Sequence, residues 1–423
     1  MKKINTSPIS GMQEFLPDTQ ATFNKLKAKI GEVYHRHGFL NIETPTIDRL
    51  DILLAKAGGD TEKQIYKVIK TAEASDDADQ GLRFDHTVPL ARYVVEHEND
   101  LTFPFKVSQI GRNFRGERAQ KGRFREFYQC DVDVIGRESL SLFYDSDVIS
   151  TLLDAYDQLE LDTPVLVRIS NRKILTGFLR DLQVIEKSGE IYNIIDHSEK
   201  VTPEETKGAL VELGLADGIV AKILKLIDLH GNREEVINGL NEFAVRDEMF
   251  TDGVSELEQV MGLLEADGLG KKIEADMKIV RGLDYYTGTV FEFCLPEYKQ
   301  IGSVGGGGRY DNLAGYFTEQ KLPGVGGSIG LSRFFYILSE NNLIKNRTDK
   351  PVDYAIIPIS DEQIDFALKV AKRLRGEKNS VAVVYMDKKL GDKLNYAAKI
   401  AKNGIVIGED EVASGDYKVK TFN

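Results

Sequence analysis

KVSQIGRNFRGERAQKGRFREFYQCDVDVIG, residues 106–136, is the stretch that decides the fold. Two runs of strand-forming residues flank the short polar segment RAQKGR. In the second run Val132 and Val134 alternate with Asp131 and Asp133, which is the pattern of a half-buried strand. The stretch therefore predicts two strands joined by residues 118–123, and such a hairpin brings the charged side chains of both strands close together.

The hairpin is strongly basic in a chain that is acidic overall. Residues 112–125 include six basic residues and one acid, whereas the formal net charge of the chain is -12. The basic residues are Arg112, Arg115, Arg118, Lys121, Arg123 and Arg125, and the acid is Glu117. Guanidinium groups bind phosphates through paired hydrogen bonds, and Phe127 on the return strand can stack on a base. A run of charges is as often a solvated surface, so both interpretations stay open on the pattern alone.

Length and composition bound the class of protein. A chain of 423 residues predicts two or three domains, and 42% hydrophobic with 29% charged residues is typical of a globular protein. No run of about 18 apolar residues occurs, so no membrane span is expected. Cys130 and Cys294 have no CxxC partner, so neither zinc nor a disulfide framework is expected. The N-terminus MKKINTSPISGMQEF has no apolar signal segment, and we expect a cytoplasmic protein without general affinity for polyanions.

The pattern of predicted helices and strands changes along the chain. Residues 1–171 mix helices with strands, and residues 172–275 show helical periodicity throughout. Strand-like patterns return in residues 276–345. Beyond a polar linker, residues 351–423 alternate between strands and helices, which indicates a small α/β domain. We therefore predict a two-part β-rich domain, a helical insertion within it, and a separate C-terminal domain.

Two further stretches combine glycine with polar side chains. RGLDYYTGTVFEF (residues 281–293) places an arginine, an aspartate and two tyrosines just before a strand. GSVGGGGRYDN (residues 302–312) has four consecutive glycines before Arg309, Tyr310 and Asp311. A flexible loop explains such a glycine run as well as backbone packed against a substrate does.

GVGGSIGLSRFFYIL (residues 324–338) places Gly326, Gly330 and Arg333 at a predicted strand-to-helix junction. Glycines there allow the backbone to approach a ligand closely, but close helix packing explains them equally. The stretch matches neither GxGxxG nor a Walker A loop, so the common nucleotide-binding folds are not indicated.

Carboxylates at two places indicate a cationic ligand. In LRFDHT, Asp85 and Thr87 follow a predicted strand, where a carboxylate can hold an ammonium group. Capping of the helix that begins at Thr87 explains Asp85 about as well. Asp131 and Asp133 lie on one face of their strand, and two acids on one face favour a cationic partner.

Taken together and in this order, these stretches resemble the class II aminoacyl-tRNA synthetases, and specifically the histidyl-tRNA synthetase family. The helix and strand ending at Pro45 resemble motif 1, the dimerisation element of that class. Residues 114–125 resemble motif 2, and Gly326-x-x-x-Gly330-x-x-Arg333 resembles motif 3. RGLDYYTGTVFEF and GGRYD are similar to the two segments that distinguish the histidyl enzymes. The resemblance covers nearly the whole chain.

The resemblance implies an α/β (α+β) fold with a class II antiparallel-sheet catalytic domain, a helical insertion and an anticodon-binding-like C-terminal domain. The catalytic domain would comprise residues 1–171 and 276–345, with the insertion at 172–275. The C-terminal domain, 351–423, is expected to be shortened, because the sequence stops before the family's usual final strand and helix.

The resemblance also implies a role for each matching residue. Arg281, Arg115 and Arg333 would be catalytic. The histidine pocket would contain Asp85, His86, Thr87, Arg115, Gln129, Asp133, Arg281, Tyr285, Tyr286 and Tyr310. ATP would contact Arg115, Glu117, Arg123, Phe127 and Arg333. The end of the tRNA acceptor arm would approach Arg118 and Gln120.

The implied substrates are L-histidine, ATP with Mg²⁺ and histidine tRNA, and the implied assembly is a homodimer without zinc. Three positions depart from the common family pattern. Asp85 and Asp133 stand where many bacterial members have glutamate, and Ser332 stands where a glutamate is common.

Two other functions fit parts of the same pattern. A synthetase-like regulatory subunit of ATP phosphoribosyltransferase, in histidine biosynthesis, shares the fold but does not aminoacylate. An RNA-binding module without catalysis would explain the basic hairpin and the lysine-rich C-terminal domain. It would not explain the tyrosine pair or Arg281, so a synthetase is the favoured interpretation.

Overall fold

The structure is a computed structural model that describes residues 4–55, 62–72, 78–280, 286–312, 314–344, 350 and 352–422. The chain divides into two compact units. The larger unit consists of Met1–Gln13 with Lys27–Lys345, and the smaller one of Glu14–Leu26 with Asn346–Asn423. None of the helices in the described ranges is long and apolar enough to cross a bilayer.

The first part of the chain supplies four helices and seven strands. The helices are α1 (Pro17–Arg36), α2 (Leu50–Leu54), α3 (Thr87–Glu96) and α4 (Phe143–Asp157). The strands are β1 (Leu40–Asn41), β2 (Ile47–Arg49), β3 (Lys67–Val68), β4 (Gln80–Leu82), β5 (Phe105–Phe114), β6 (Glu126–Ile135) and β7 (Leu166–Asn171). Strands β2, β4 and β3 form a small separate antiparallel sheet.

A mainly helical stretch follows β7. Its elements are α5 (Arg172–Asp181), α6 (Ser188–His197), α7 (Pro203–Glu212), α8 (Asp217–Ile227), β8 (His230–Gly231), α9 (Arg233–Asn241) and α10 (Glu248–Ala266). Local sequence sets where these helices begin. The side chain of Thr202 accepts a hydrogen bond from the backbone N–H of Glu205, whose side chain accepts one from the N–H of Thr202. This capping box, with Pro203 in the first turn, fixes the start of α7.

The chain then returns to the main sheet through β9 (Ile273–Asp276), β10 (Thr289–Cys294), β11 (Gly305–Tyr310) and β12 (Gly324–Ile329), and α11 (Leu331–Glu340) follows. The nine strands of this sheet lie in the order β1-β5-β6-β12-β11-β10-β7-β9-β8. All neighbouring pairs are antiparallel except β1–β5 and β7–β9, which are parallel. The predicted fold class, with a large, mainly antiparallel sheet, is confirmed.

The hairpin predicted from residues 106–136 is confirmed as β5 and β6. Ten residues of each strand pair in register, from Phe105 opposite Ile135 to Phe114 opposite Glu126. The four-glycine run, in contrast, is a strand and not a flexible loop. Gly305–Tyr310 forms β11, which pairs with β10 on one side and β12 on the other.

One face of the sheet is closed by α4, whose apolar positions repeat at helical spacing. Leu152 and Tyr156 are at most 1% exposed. The ring of Tyr156 packs between Phe293 and Phe334 at centroid distances of 5.2 and 5.1 Å, and its hydroxyl donates to the carbonyl of Val304. This packing fixes the positions of β10 and β11 relative to α11.

The smaller unit contains a four-stranded sheet in the order β14-β13-β15-β16. Its elements are β13 (Val352–Pro358), α12 (Ile364–Gly376), β14 (Val381–Val383), α13 (Leu390–Ile400), β15 (Ala401–Ile407), α14 (Glu409–Ser414) and β16 (Lys420–Thr421). The sequence pattern predicts a helix as far as Gly404, which is wrong: α13 ends at Ile400. Ala401 is fully buried and pairs with Val352, so strand pairing outweighs the helical periodicity there. Helix α14 was not predicted.

A buried ion pair joins α4 to the glycine strand β11. The Arg309 guanidinium donates to both carboxylate oxygens of Asp145, at 2.5 to 3.2 Å, and to the carbonyls of Leu140 and Ser141 at 3.1 Å. Asp145 is 0% and Arg309 5% exposed. Each charge therefore depends on the other, because a buried charge without a partner is costly.

We predict that Asp145→Asn lowers the free energy of unfolding by about 3–5 kcal/mol, because it leaves Arg309 buried without a counter-charge. The control is Glu242→Gln in the exposed pair of Lys225 and Glu242, which should cost less than about 1 kcal/mol. Urea denaturation measures both. Equal losses in the two variants would contradict a structural role for the buried pair.

Candidate active site

A cavity of about 400 Å³ opens over the central strands of the main sheet. Strands β6, β10, β11 and β12 supply its floor, and the start of α3 and the first turn of α11 supply walls. The predicted site residues that line it are Asp85, Thr87, Arg115, Gln129, Asp133, Tyr286, Tyr310 and Arg333. Residues from six separate stretches of the chain therefore meet in one place.

Strand β6 presents a row of three polar side chains to this cavity, Gln129, Asp131 and Asp133. They lie at alternate positions, so they share one face of the strand. Gln129 Nε2 donates to Ser328 Oγ at 2.8 Å, and Tyr310 Oη donates to Asp133 Oδ1 at 2.8 Å. Both ends of the row are thus fixed by hydrogen bonds to side chains of β12 and β11.

The glycines of β12 make room for this row. Asp133 lies opposite Gly326, where an added Cβ would stand 1.9 Å from Asp133 Oδ1. At Gly324 an added Cβ would stand 2.3 Å from the ring of Tyr310. Ser328, the next residue on this face, instead carries the hydroxyl that Gln129 contacts. The stretch GVGGSIG therefore has glycine where side chains from β6 and β11 cross the strand.

Burial dominates the electrostatics of the floor. Asp133 is 5% exposed, and burial together with the nearby Asp131 raises its pKa to about 8. The hydrogen bond from Tyr310 opposes that rise, and burial raises the pKa of the Tyr310 hydroxyl well above its usual value. A pKa of about 8 favours the protonated form of Asp133 at neutral pH. A ligand that donates an N–H to this carboxyl favours its ionised form.

Asp85 both caps a helix and lines the cavity, as the two interpretations of its sequence position predicted. Its Oδ1 accepts from the backbone N–H of Val88 at 3.1 Å, so it does cap the start of α3. It also lines the cavity, where burial raises its pKa while the Val88 N–H and Arg115 oppose the rise. Capping orients the carboxyl and leaves Asp85 in contact with the space a ligand would occupy.

Two arginines, Arg115 and Arg333, place positive charge on the wall of the cavity. The guanidinium of Arg115 lies between the rings of Phe84 and Phe127, at 4.3 and 5.0 Å, and its Nε donates to the carbonyl of Phe84. Arg333 stands in the first turn of α11. Its neighbour Ser332 accepts from the backbone N–H of Tyr128 at 2.8 Å, so this small residue ties α11 to β6.

The turn between β5 and β6 lies beyond the residues that line the cavity. Gln120 and Arg123 exchange two backbone hydrogen bonds across it, and Gly122 has a φ of 72°, which glycine adopts without strain. Arg118, Gln120 and Arg123 are exposed. Glu117 lies 3.7 Å from the guanidinium of Arg123.

The structure places one residue of the predicted histidine pocket, His86, outside this group. His86 lines a second cavity of about 500 Å³, and its Nδ1 lies 2.7 Å from Asp131 Oδ2. Arg281 and Tyr285 lie outside the described residues. Conversely, Asp131, Glu292 and Ser328 line the first cavity without having been assigned to it. For Asp131 the signal was present, because it alternates with Asp133 on one face.

Within the described ranges, no three His, Cys, Asp or Glu side chains lie close enough together to hold a metal ion.

Comparison with protein families gives two matches. Residues 11–334 match the family described as histidyl-tRNA synthetase, and residues 353–423 match the family described as anticodon binding domain. Together these matches cover both compact units.

Individual proteins also resemble this chain in sequence and in structure. The chain is 45% identical over 428 residues to a histidine–tRNA ligase from Clostridium tetani, covering 100% of this chain and 95% of that protein. A crystal structure of histidyl-tRNA synthetase from Nostoc sp. PCC 7120 superposes with a TM-score of 0.89 at 36% identity, covering 99% and 95% of the two chains. A Bacillus halodurans structure titled ATP phosphoribosyltransferase regulatory subunit/histidyl-tRNA synthetase has a TM-score of 0.76 at 20% identity, with 98% and 97% coverage, and shares the fold.

The raised pKa of Asp133 predicts a pH-dependent stability. The pKa of about 8 keeps this proton on folded protein up to about pH 8, whereas the unfolded chain loses it near 3.8, the ordinary pKa of an aspartate. Between these values unfolding releases the proton, so the free energy of unfolding falls as pH rises. Asp133→Asn has no ionisable group at this position, so its free energy of unfolding lacks this dependence on pH. The free energy of unfolding of Asp133→Asn minus that of the wild type should therefore increase by at most about 1.4 kcal/mol per pH unit between pH 4 and pH 8.

The control is Asp353→Asn in the smaller unit. Lys402 and Ser380 lower the pKa of Asp353 to about 2, so its contribution is lost only as the solution becomes more acidic than about pH 4. Thermal unfolding across pH 4–9 without substrate measures both variants. A constant difference between wild type and Asp133→Asn over this range would refute the raised pKa.

Proposed function

This chain belongs to the histidyl-tRNA synthetase family of aminoacyl-tRNA synthetases, and we propose that it acts as a histidine–tRNA ligase. It activates L-histidine with ATP to histidyl-adenylate and transfers histidine to the 3' end of histidine tRNA. The observation that carries the proposal is the cavity floor. Gln129, Asp133 and Tyr310 are fixed by hydrogen bonds between strands and line one cavity with Asp85 and Thr87.

In this proposal the floor recognises histidine. Asp133, held by Tyr310, meets a ring nitrogen of the imidazole, and a carboxyl facing one ring N–H selects the tautomer. Tyr286 lines the cavity and packs against Gly308, where an added Cβ would stand 2.9 Å from its ring. Asp85, Thr87 and Gln129 hold the α-amino group. Tyr285 is assigned to the imidazole pocket by the family resemblance alone.

The arginines of the wall hold ATP. Arg115 is assigned to the α-phosphate and Arg333 to the γ-phosphate, because guanidinium groups form paired hydrogen bonds with phosphate oxygens. Glu117 and Phe127 are assigned to adenine and Arg123 to the nucleotide. The stacking of Arg115 on Phe127 supports placing the two ligands side by side. Mg²⁺ enters with ATP as part of the substrate and neutralises phosphate charge.

The chemistry needs no protein nucleophile. A carboxylate oxygen of histidine attacks the α-phosphorus, and pyrophosphate leaves. A terminal ribose hydroxyl of the tRNA then attacks the acyl carbon, and AMP leaves. Arg115 is held between two rings before reaction, so its charge meets the developing negative charge without reorganisation. Arg281, assigned the same task beside the histidine carboxylate, lies outside the described residues.

The proposed partners follow from the outer surfaces. Arg118 and Gln120, exposed at the turn after β5, are assigned to the tRNA acceptor end. The C-terminal domain, proposed as residues 351–423, is assigned to the anticodon. The homodimer is proposed through residues of motif 1, and the working compartment is the cytoplasm. The helical insertion is kept at residues 172–275, between the catalytic parts 1–171 and 276–345.

The regulatory subunit of ATP phosphoribosyltransferase is the second candidate. It would need the fold and no adenylation. The cavity of this chain combines histidine-recognition residues with Arg115 and Arg333 in one space, which favours the ligase.

The test is ATP–pyrophosphate exchange with each of the twenty amino acids, followed by charging of histidine tRNA. We expect exchange with histidine alone, since Asp133 and Tyr286 are assigned to the imidazole ring in this proposal. Charging of histidine tRNA should follow with the same protein. A folded protein without exchange would contradict the proposal and favour the regulatory subunit.

A further inference from the structure

A buried pair of side chains connects the first cavity with the second. His86 Nδ1 lies 2.7 Å from Asp131 Oδ2, and the two residues are 1% and 5% exposed. Asp131 lines the first cavity and His86 lines the second. The proposed function does not use this pair, because His86 was assigned to the histidine pocket only by the family resemblance.

The two oxygens of Asp131 differ in their surroundings. Oδ2 lies within hydrogen-bond distance of the His86 ring nitrogen Nδ1, at 2.7 Å. Oδ1 is buried and accepts no hydrogen bond from the part of the chain that the structure describes. Because a buried acceptor without a partner is costly, a donor on a bound molecule would stabilise this oxygen. Asp131 lines the floor of the first cavity, where a bound molecule would supply that donor.

Neighbouring side chains indicate the charge of the donor. Asp131 raises the pKa values of both Asp85 and Asp133, so its carboxylate lies close to the two other acids of the cavity. A cation placed among them relieves this repulsion. Asp133 is already held by Tyr310 at one end of the row, and Gln129 is held by Ser328 at the other.

An ammonium group matches the position of Asp131. It carries three N–H donors, which suits several acceptors around one point. Asp131 lies between Gln129 and Asp133 along β6, on the face that also meets Asp85. The Asp133 end is assigned to the imidazole, so Asp131 and Asp85 are left for the amino group of the same substrate.

The ring of His86 packs against Gly111 and lies close to Asn113. An added Cβ at Gly111 would stand 3.0 Å from its Nε2 and 2.5 Å from a guanidinium nitrogen of Arg83. Asn113 Nδ2 lies 3.4 Å from Nδ1. Such packing restricts the ring to the orientation that meets Asp131.

We propose that Asp131 Oδ1 accepts a hydrogen bond from the α-ammonium group of the bound amino acid, and that His86 is a positioning residue for this carboxylate. The inference rests on the proposed function and adds two residues to its histidine site. The chain thus surrounds the amino group with two carboxylates, Asp85 and Asp131, rather than one.

The test uses histidine-dependent ATP–pyrophosphate exchange with two competing inhibitors. L-histidinol has the ammonium group and no carboxylate, whereas 3-(imidazol-4-yl)propanoate has the carboxylate and no ammonium group. In Asp131→Asn, we expect the KM for histidine and the Ki for histidinol to rise roughly 10- to 100-fold, the range for losing a hydrogen bond to a charged group. The Ki for imidazolylpropanoate and the KM for ATP should stay unchanged.

Substitutions of His86 separate positioning from general structural support. His86→Leu should raise the KM for histidine while leaving kcat and the KM for ATP unchanged. His86→Asn should restore the KM, because its side-chain N–H can replace Nδ1 beside Asp131. These two variants carry the test if Asp131→Asn does not fold.

Two outcomes would overturn the inference. Equal weakening of both inhibitors in Asp131→Asn would move Asp131 away from the amino group, and unchanged constants for both would remove it from the site. In either case wild-type exchange with histidine would leave the proposed function intact. Absence of exchange in wild type would defeat the proposed function, and this inference would fall with it.

Discussion

The site depends on one steric constraint. The carboxyl group of Asp133 lies over Gly326 of β12 and occupies the space that a side chain at that position would fill. Asp133 lies opposite Gly326, and Tyr310 reaches it across Gly324 to donate its hydroxyl hydrogen. Strands β6, β12 and β11 are therefore fixed relative to each other by side chains as well as by their ladder. A methyl group at either glycine would occupy the space these side chains use, so the cavity floor and the glycine pattern form a single unit.

Charge is arranged around this floor in two layers. The floor is acidic, with Asp85, Asp131 and Asp133 all no more than 6% exposed. The wall is basic, with Arg115 held between two aromatic rings and Arg333 in the first turn of α11. A cationic amino acid and an anionic nucleotide would each meet charge of the opposite sign in one cavity. Burial strengthens both attractions, because fewer water molecules screen them.

Sequence reasoning was most reliable where the determinants are local. The alternation around Val132 and Val134 predicted β6, and the same face contained the acidic row. It failed where distant pairing decides the outcome. Gly305–Tyr310 is a strand because β10 and β12 pair with it, although glycine has little strand preference of its own. The family resemblance placed His86 in the pocket with Asp85 and Thr87, yet its ring contacts Asp131. No local pattern contains that contact, which joins residues 45 positions apart.

The most direct measurement of this account is calorimetric binding of histidine to Gly326→Ala, with Gly262→Ala as the control. An added Cβ at Gly262 meets nothing within 4 Å, whereas at Gly326 it displaces Asp133. The account predicts that Gly326→Ala weakens histidine binding by roughly 100-fold, the loss of a buried hydrogen bond and its alignment, while ATP binding and the control stay at wild-type values. Wild-type affinity for histidine in folded Gly326→Ala would contradict the claim that the carboxyl lying across this glycine recognises the substrate.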